Sequence, residues 1–193
     1  LFADVSGFTA LSEHLASKGQ QGIEQLTQLL NDHFESMVEI LIHSGGELLK
    51  YAGDALLAYF PTLEAGQQAQ WAVRAGHRML RALAAQPSDD VVLRMKVGIA
   101  TGPFYAASVG TARRMEYVIL GDAVNRTLAA EKAAVAGQVV VDTPTTTFLP
   151  NIQCAADLTP GFHETRVIEE NLGDFEIRSG GRRRPRSSAS WMS

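Results

Sequence analysis

The sequence predicts an α+β domain in which a mostly antiparallel sheet carries its helices mainly on one face. Three observations lead to this fold class: a long stretch of helical periodicity, a β-hairpin signal directly after it, and a later segment that alternates between apolar and polar residues. In chain order the elements are a strand, a long helix, a hairpin, a second helix, and then further strands and a helix. That order favours an antiparallel or mixed sheet.

The first strand and the first long helix lie near the start of the chain. Leu1-Phe2-Ala3 is a strand-like segment that ends at Asp4. After it, apolar residues recur every three or four positions, at Ile23, Leu26, Leu29, Leu30, Phe34, Met37, Val38, Leu41 and Ile42. Because this spacing places them on one face of a helix, it predicts a long amphipathic helix from Ile23 to Ile42, packed on a flat surface.

A hairpin and a second helix follow. Two glycines end the long helix, and the apolar runs Glu47–Tyr51 and Ala55–Phe60 then flank a turn at Ala52-Gly53-Asp54, which is a β-hairpin signal. From Glu64 to Ala84 small and apolar residues lie along one side of a helical pattern. Thr62 is the predicted N-cap of this helix.

The second half of the sequence is richer in strands. Val92 to Thr101 predicts a half-buried strand, because one face collects the apolar residues Leu93, Met95, Val97 and Ile99. Further elements are predicted as strands at Phe104–Val109, Glu116–Leu120 and Gln138–Asp142 and as an alanine-rich helix at Asp122–Val135. Within the less informative stretch Pro150–Ile177, the segment Phe175-Glu176-Ile177 is the best strand candidate.

Composition and charge exclude a general affinity for nucleic acid. The 193 residues carry a formal net charge of −4. Four arginines lie in the Gly- and Ser-rich tail Ser179–Ser193, which leaves residues 1–178 with 13 basic against 21 acidic side chains. A folded part with this acidic balance does not attract phosphate backbones. We predict one folded domain at residues 1–178 and a disordered linker at residues 179–193.

Cysteine use and hydropathy predict a cytoplasmic protein. The lone Cys154 cannot form an internal disulfide, and no Cys and His pair has zinc-ligand spacing. Val97–Ala112, the longest uncharged stretch around the middle of the chain, has 16 residues and is too short to cross a bilayer. The chain begins at Leu1 inside an apolar run without a signal segment, so we expect a domain of a longer protein.

Two aspartates are the candidate metal ligands. Asp4 ends the first strand and precedes a glycine-bearing turn, and Asp54 lies in the hairpin turn. In a ferredoxin-like sheet the first strand lies beside this hairpin, so the two carboxylates would converge. Paired carboxylates with open coordination positions suit Mg²⁺, and two such ions can clamp the attacking and leaving oxygens of an in-line displacement. Each aspartate taken alone is also typical of a turn or a helix cap.

Two motifs carry a family resemblance. FADVSGFTALSE (Phe2–Glu13) and GGELLKYAGDALLAYF (Gly45–Phe60) resemble the metal-bearing motifs of the class III adenylyl/guanylyl cyclase catalytic domain, and Val97–Asp142 follows that family's order of strands and helix. The amino-acid sequences of these motifs are most similar to those of the bicarbonate-responsive, soluble-type adenylyl cyclases, especially the first of their two tandem catalytic domains. The resemblance implies a ferredoxin-like (βαββαβ) cyclase fold and the conversion of ATP to cyclic AMP and pyrophosphate.

The resemblance also implies roles for single residues. Asp4 and Asp54 match two metal-binding aspartates, and the backbone carbonyl of Val5 matches a third ligand, for two Mg²⁺ ions that Mn²⁺ could replace. The turn whose amides hold the triphosphate matches Gly7, Phe8 and Thr9. Lys50 matches a lysine that hydrogen-bonds the adenine ring, where guanylyl cyclases carry Glu. The implied substrate is therefore ATP.

Two positions depart from the family pattern. Val118 falls where family members place an Asp or Thr that completes adenine recognition, and valine offers no hydrogen bond. Asn125 matches the family's asparagine near the ribose, but the arginine expected four residues later is replaced by Ala129. Arg126 follows Asn125 directly, so on a helix it points about 100° away from that face.

The absence of this arginine predicts that the chain supplies only half of an active site. In the family, one subunit supplies the two aspartates and the other supplies the asparagine and the arginine. Loss of a group that stabilises transition-state charge typically lowers the rate about 10²–10³-fold, so a homodimer is expected to be weak or inactive. The chain is therefore predicted to be the metal-donating half of a homodimer or pseudo-heterodimer, that is, the half that supplies the metal-binding aspartates. Its partner would be a second cyclase domain.

Two other functions stay open from the sequence. A regulatory domain without catalytic activity could keep the fold and bind nucleotide, or a small anion such as bicarbonate, at a degenerate site. A palm-like nucleotidyltransferase also uses a ferredoxin-like sheet with one Asp after a strand and another in a hairpin turn. The amino-acid sequences of the two motifs favour the cyclase over the nucleotidyltransferase.

Overall fold

The computed structural model describes residues 1–61, 66–84, 93–111, 113–155 and 158–167. The strands in these residues are β1 (Phe2–Ser6), β2 (Glu47–Ala52), β3 (Ala55–Tyr59), β4 (Arg94–Ile99), β5 (Tyr105–Thr111), β6 (Arg114–Leu120), β7 (Val139–Asp142), β8 (Gln153–Cys154) and β9 (Phe162–Arg166). The helices are α1 (Phe8–Ala16), α2 (Gln20–His43), α3 (Gln67–Ala84), α4 (Asp122–Ala133) and the single turn α5 (Thr143–Thr146).

The strands form one large sheet and one separate ribbon. Within the described residues the large sheet has seven strands in the order β2-β3-β1-β4-β7-β9-β8, and β5 and β6 pair with each other in a separate two-stranded sheet. Within the large sheet, β4 and β7 run parallel and the other neighbours run antiparallel. The predicted ferredoxin-like core is confirmed by the order β2-β3-β1-β4, with α1 and α2 following β1 and α3 following the hairpin.

The core lies between the sheet and the long helices α2 and α3. Alternate side chains of the central strands point into it, as the period of two in the sequence predicts. The buried residues that meet there include Ala3, Val5, Met37, Leu41, Leu56, Val73, Met79, Met95, Val97 and Ile99. Gly76 lets α3 lie directly on the strands, because a Cβ there would be only 3.2 Å from Cγ1 of Val97.

Helix α4 lies on the opposite face of the sheet, against β4 and β7. Gly98 follows Val97 and therefore faces the other way, and a Cβ on it would lie 2.2 Å from the backbone nitrogen of Glu131 in α4. Ala130, Ala134 and Val140 form a second, smaller apolar cluster on this face. The prediction that the helices lie mainly on one face is confirmed for α2 and α3, and α4 is an exception to it.

The observed elements extend or shorten the predicted ones by a few residues. Helix α2 begins three residues before Ile23, and the hairpin strands match their predicted positions. After the predicted glycine-bearing turn, the structure has the nine-residue helix α1. The C-terminal stretch contributes β8 and β9 to the edge of the sheet. Three predictions lie outside the described residues: the Thr62 N-cap, the Phe175–Ile177 strand and the Ser179–Ser193 linker.

None of the helices in the described ranges combines the length and the apolar character that crossing a bilayer requires.

A half-buried histidine ties α3 to β9, next to the edge strand of the sheet. Nε2 of His77 lies 3.0 Å from Oγ1 of Thr165 in β9, and this hydroxyl donates to the carbonyl of Val139 at 3.1 Å. The Thr165 hydroxyl has one hydrogen, which goes to Val139, so Nε2 of His77 is the donor to Thr165. Burial, with the charge of Arg81, lowers the pKa of His77 to about 4.

We expect the low pKa of His77 to make the fold acid-sensitive. Above pH 6.5 the imidazole is neutral in both states and has no effect on stability. Between pH 6.5 and 4 the unfolded chain takes up the proton first, so the free energy of unfolding falls by on the order of 3 kcal/mol. Urea denaturation at several pH values measures this loss. In the variant His77→Gln the free energy of unfolding should fall clearly less over this pH range. An equally steep fall in both proteins would contradict the low pKa of His77.

Candidate active site

The fold brings the two candidate metal ligands together at one end of neighbouring strands. β1 pairs with β3 through Phe2 and Leu57 and through Ala3 and Leu56. Continued by two residues, this register sets Val5 opposite Asp54, so the end of β1 lies beside the hairpin turn. Val5, Phe8 and Asp54 line one small pocket.

The charge of Asp54 also acts on Asp4. Burial raises the pKa of Asp4, and the negative charges of Asp54 and Glu131 raise it further, against the opposing effect of Lys96. An aspartate that resists ionisation in this way gains from a nearby cation. Without a bound cation, the site therefore carries negative charge that is not fully compensated.

The predicted phosphate-binding turn lies directly after β1. Gly7 has φ 95°, a conformation that favours glycine, and it is the N-cap of α1. The backbone N–H of Leu11 donates to the carbonyl of Gly7 at 3.1 Å, so the N–H groups of the residues before Leu11 have no acceptor within the helix. These free donors, which include those of Phe8 and Thr9, suit an anionic group. Both Gly7 and Thr9 are exposed to solvent.

The two candidate base-binding residues lie on different parts of the fold. Lys50 is exposed on the edge strand β2, four residues before Asp54, where it pairs with Leu57 after a shift in register. Val118 is half-buried in the separate β5–β6 ribbon, opposite Ala107.

Asn125 lies at the other end of β4 from the two aspartates. Asp4 pairs with Lys96 near the start of β4. At the other end of the strand, Nη2 of Arg126, the residue next to Asn125, donates to the carbonyl of Thr101 at 3.2 Å. The five residue steps from Lys96 to Thr101 correspond to roughly 16 Å of extended chain. The structure therefore does not bring Asn125 to Asp4 within one chain.

Arg126 cannot substitute for the missing arginine at position 129. Its Nε donates to Asp122 at 2.7 Å, its Nη1 pairs with the buried Asp142, and its Nη2 binds the carbonyl of Thr101. Asp142 in turn caps α5, by accepting from the backbone N–H of Thr145 at 3.1 Å. Arg126 thus joins α4 to β7 and to the chain after β4, which is a structural role.

Two further charged residues complete the surroundings of Asp4. Lys96 lies opposite Asp4 in the β1–β4 register, and its Nζ is 3.7 Å from Oδ2 of Asp4. The same ammonium contacts the carboxylate of Glu131, whose side chain is 7% exposed. The hydrogen bond to Glu131 raises the pKa of Lys96. The strand alternation indicated that Lys96 points away from the core, but only the strand register could have placed it beside Asp4.

The candidate ligands fit a magnesium ion that is bound by only a few protein groups. No three His, Cys, Asp or Glu side chains of the described ranges are arranged to hold a metal ion. The candidate ligands at the end of β1 are two carboxylates, Asp4 and Asp54, and main-chain oxygens such as the carbonyl of Val5. Mg²⁺ is commonly bound by one or two carboxylates together with water and substrate phosphates.

Known proteins resemble this chain in sequence and in fold. A 147-residue region, 73% of this chain and 9% of the relative, is 30% identical to adenylate cyclase type 10 of Oryctolagus cuniculus. A 127-residue region, 64% of this chain and 6% of the relative, is 34% identical to the terminal-differentiation specific adenylate cyclase of Dictyostelium discoideum. The crystal structure of the adenylyl cyclase CyaB from P. aeruginosa superposes with a TM-score of 0.71 at 27% identity, over 89% of this chain and 94% of that one.

The family assignment covers nearly the whole chain, although the chain spans only about a tenth of the full-length relatives. The sequence profile described as "Adenylate and Guanylate cyclase catalytic domain" matches residues 1–179. With the ferredoxin-like core and the cyclase structure among its neighbours, this match confirms the resemblance to class III cyclases that the two motifs indicated. The chain belongs to the adenylate and guanylate cyclase catalytic domain family.

Proposed function

We propose that this domain is the metal-donating half of an adenylate cyclase active site, which converts ATP to cyclic AMP and pyrophosphate. The observation that carries the proposal is the convergence of Asp4 and Asp54 at the end of β1, beside the free N–H groups of α1. Adenylate cyclases among the relatives support the choice of reaction. Membership of the cyclase family also favours it over a palm-like nucleotidyltransferase.

The reaction is an intramolecular displacement at phosphorus. The ribose 3′-hydroxyl releases its proton to water, and its oxygen bonds to the α-phosphorus. The bond from that phosphorus to the bridging oxygen breaks, and the pyrophosphate leaves with the electron pair of that bond. Two bound Mg²⁺ ions would make the 3′-hydroxyl more acidic and neutralise charge on the pyrophosphate. Asp4, Asp54 and the carbonyl of Val5 would hold these ions.

The remaining residues bind and orient the nucleotide. The N–H groups of the Gly7-Phe8-Thr9 turn would donate to the phosphate oxygens, because they have no acceptors within α1. Lys50 would donate from the edge strand to a ring nitrogen of adenine. Val118 would offer only apolar contact at the base.

A second cyclase domain would complete the site. Asn125 lies about the length of β4 away from Asp4, so the ribose-binding group for the Asp4 site must come from another subunit. The β5–β6 ribbon offers a surface for such a partner, since it exposes several large apolar side chains, among them Tyr105, Val109, Met115, Tyr117 and Leu120. An exposed group of apolar residues of this kind is typical of a protein interface.

The same departures support a second candidate function. With Val118 and Ala129, the chain lacks two groups that the family uses, one to bind the base and one to stabilise the transition state. A domain of this kind could bind nucleotide or a small anion and regulate a catalytic partner without turning ATP over. The domain limits of 1–178 and a cytoplasmic location remain predictions under either function.

Product formation from ATP and from GTP, with Mg²⁺ and with Mn²⁺, tests the proposal. We expect the purified chain alone to bind ATP but to form little cyclic nucleotide. Addition of a cyclase domain that carries the missing arginine should produce cyclic AMP in preference to cyclic GMP. Rapid turnover by the chain alone would contradict the half-site. ATP binding without product in the presence of such a domain would favour the regulatory function.

A further inference from the structure

Lys96 lies between carboxylates from two different layers of the fold. On one side is Asp4 of β1, with Oδ2 at 3.7 Å from Nζ of Lys96. On the other is Glu131 of α4, which the ammonium contacts directly. The side chains of Lys96 and Asp4 are 25% and 28% exposed, and that of Glu131 is 7% exposed. One cation therefore serves two carboxylates that belong to opposite sides of a helix–sheet contact.

Packing fixes the backbone of Glu131 close to β4. α4 approaches β4 so closely at Gly98 that even a Cβ there would lie 2.2 Å from the backbone nitrogen of Glu131. The neighbouring Ala130 is fully buried in the small apolar cluster on this face. Because the backbone is fixed and the carboxylate is buried, Glu131 needs a cation close by. Lys96 is the partner that the structure gives it.

Glu131 is also near enough to Asp4 to influence it. Its negative charge acts on Asp4 together with the charge of Asp54. Yet no three carboxylates of the described ranges form a group suited to a metal ion. Lys96 stands between Glu131 and Asp4, so it keeps the third carboxylate away from the other two.

We propose that Lys96 is a positioning residue that engages Glu131 and so limits the metal site to the two carboxylates Asp4 and Asp54. This inference rests on the proposed function of Asp4 and Asp54. Its consequence is that the free domain binds divalent cations weakly and acquires them mainly with the phosphates of the nucleotide. Without Lys96, Glu131 would turn toward Asp4 and give a site with three carboxylates and a higher affinity for cations.

Binding of Mn²⁺ in the absence of nucleotide tests this role. The amount of free Mn²⁺ can be followed by electron paramagnetic resonance in the wild type and in Lys96→Met. We expect the variant to bind Mn²⁺ about tenfold more tightly or better, because a positive charge near the ion is removed and a carboxylate is gained. The double variant Lys96→Met/Glu131→Gln should return to within about twofold of the wild-type affinity.

Arg94→Met is the matched control. Arg94 lies two residues from Lys96 on the same face of β4, opposite Ser6, and is exposed. A general effect of net charge would appear in both single variants, whereas the proposed role predicts little change for Arg94→Met. The proposal is wrong if Lys96→Met binds Mn²⁺ no more tightly than Arg94→Met, or if the double variant keeps the gain.

Glu131→Gln keeps the proposal testable if Lys96→Met does not fold. In this variant Lys96 has only Asp4 to pair with, so we expect Mn²⁺ affinity to fall several-fold below the wild type. An unchanged affinity would overturn the proposal. Asp54→Asn separates this result from a failure of the proposed function. If Asp54→Asn leaves Mn²⁺ binding intact, the metal site itself is elsewhere; if it abolishes binding and the Lys96 and Glu131 variants have no effect, only the positioning role fails.

Discussion

Replacing Asp54 with asparagine is expected to abolish cyclic AMP formation by the domain assembled with a complementing partner, with a loss of about 10³-fold or more. The asparagine side chain would keep the shape of the hairpin turn but would lose the charge that, in the proposed function, holds a divalent cation beside Asp4. The measurement is the initial rate of cyclic AMP formation from ATP at saturating Mg²⁺. An unchanged rate would overturn the proposed function.

The expected loss can be separated from an effect on stability. Because the charge of Asp54 contributes to the raised pKa of Asp4, its removal relieves repulsion and should not lower the melting temperature of the metal-free protein. Asp32→Asn is the matched control. Asp32 is an exposed aspartate of α2 that accepts from Nε2 of Gln28 at 2.7 Å, and asparagine can still accept this bond. This control should keep the wild-type rate.

Introducing an arginine at Ala129 is expected to give the opposite result, a gain of activity by the chain alone of at least about 10²-fold. Ala129 is half-buried and lies one turn after Asn125 on α4. The residues of α4 that face the sheet are Ala123, Thr127, Ala130 and Glu131, so position 129 is not among the buried contacts. In a homodimer, an arginine there would lie on the same helix face as Asn125 and could stabilise charge at the partner's phosphates.

Ala129→Gln separates charge from size in this experiment. Glutamine adds a long polar side chain without a positive charge, so the half-site predicts no gain of activity for it. Both variants should be compared by cyclic AMP formation at equal concentrations of dimer. Failure of Ala129→Arg to raise the rate, in a protein that still dimerises and binds ATP, would favour the regulatory function, in which Val118 or the geometry of the interface prevents turnover.

Local patterns in the sequence were sufficient for most of the elements and for naming two candidate metal ligands. The three-four spacing predicted α2, the alternation predicted β4, and the Ala52-Gly53-Asp54 turn predicted the hairpin, because each pattern reflects one face of one element. The two aspartates could be paired from the sequence because β1 and the hairpin are neighbours in the ferredoxin-like order. Recognition of the family depended on the same two segments.

Contacts between distant elements could be decided only by the tertiary structure. Lys96 pairs with Asp4 through strand register, and Glu131 reaches Lys96 because Gly98 lets α4 lie close to β4. The engagement of Arg126 by Asp142, and the distance along β4 that separates Asn125 from Asp4, likewise depend on how α4 crosses the sheet. The sequence by itself identified Asp4 and Asp54 as candidate metal ligands. Only the packing of α4 against β4 determined which charges lie beside them, because side-chain partners far apart in the chain follow from register and helix position rather than from local periodicity.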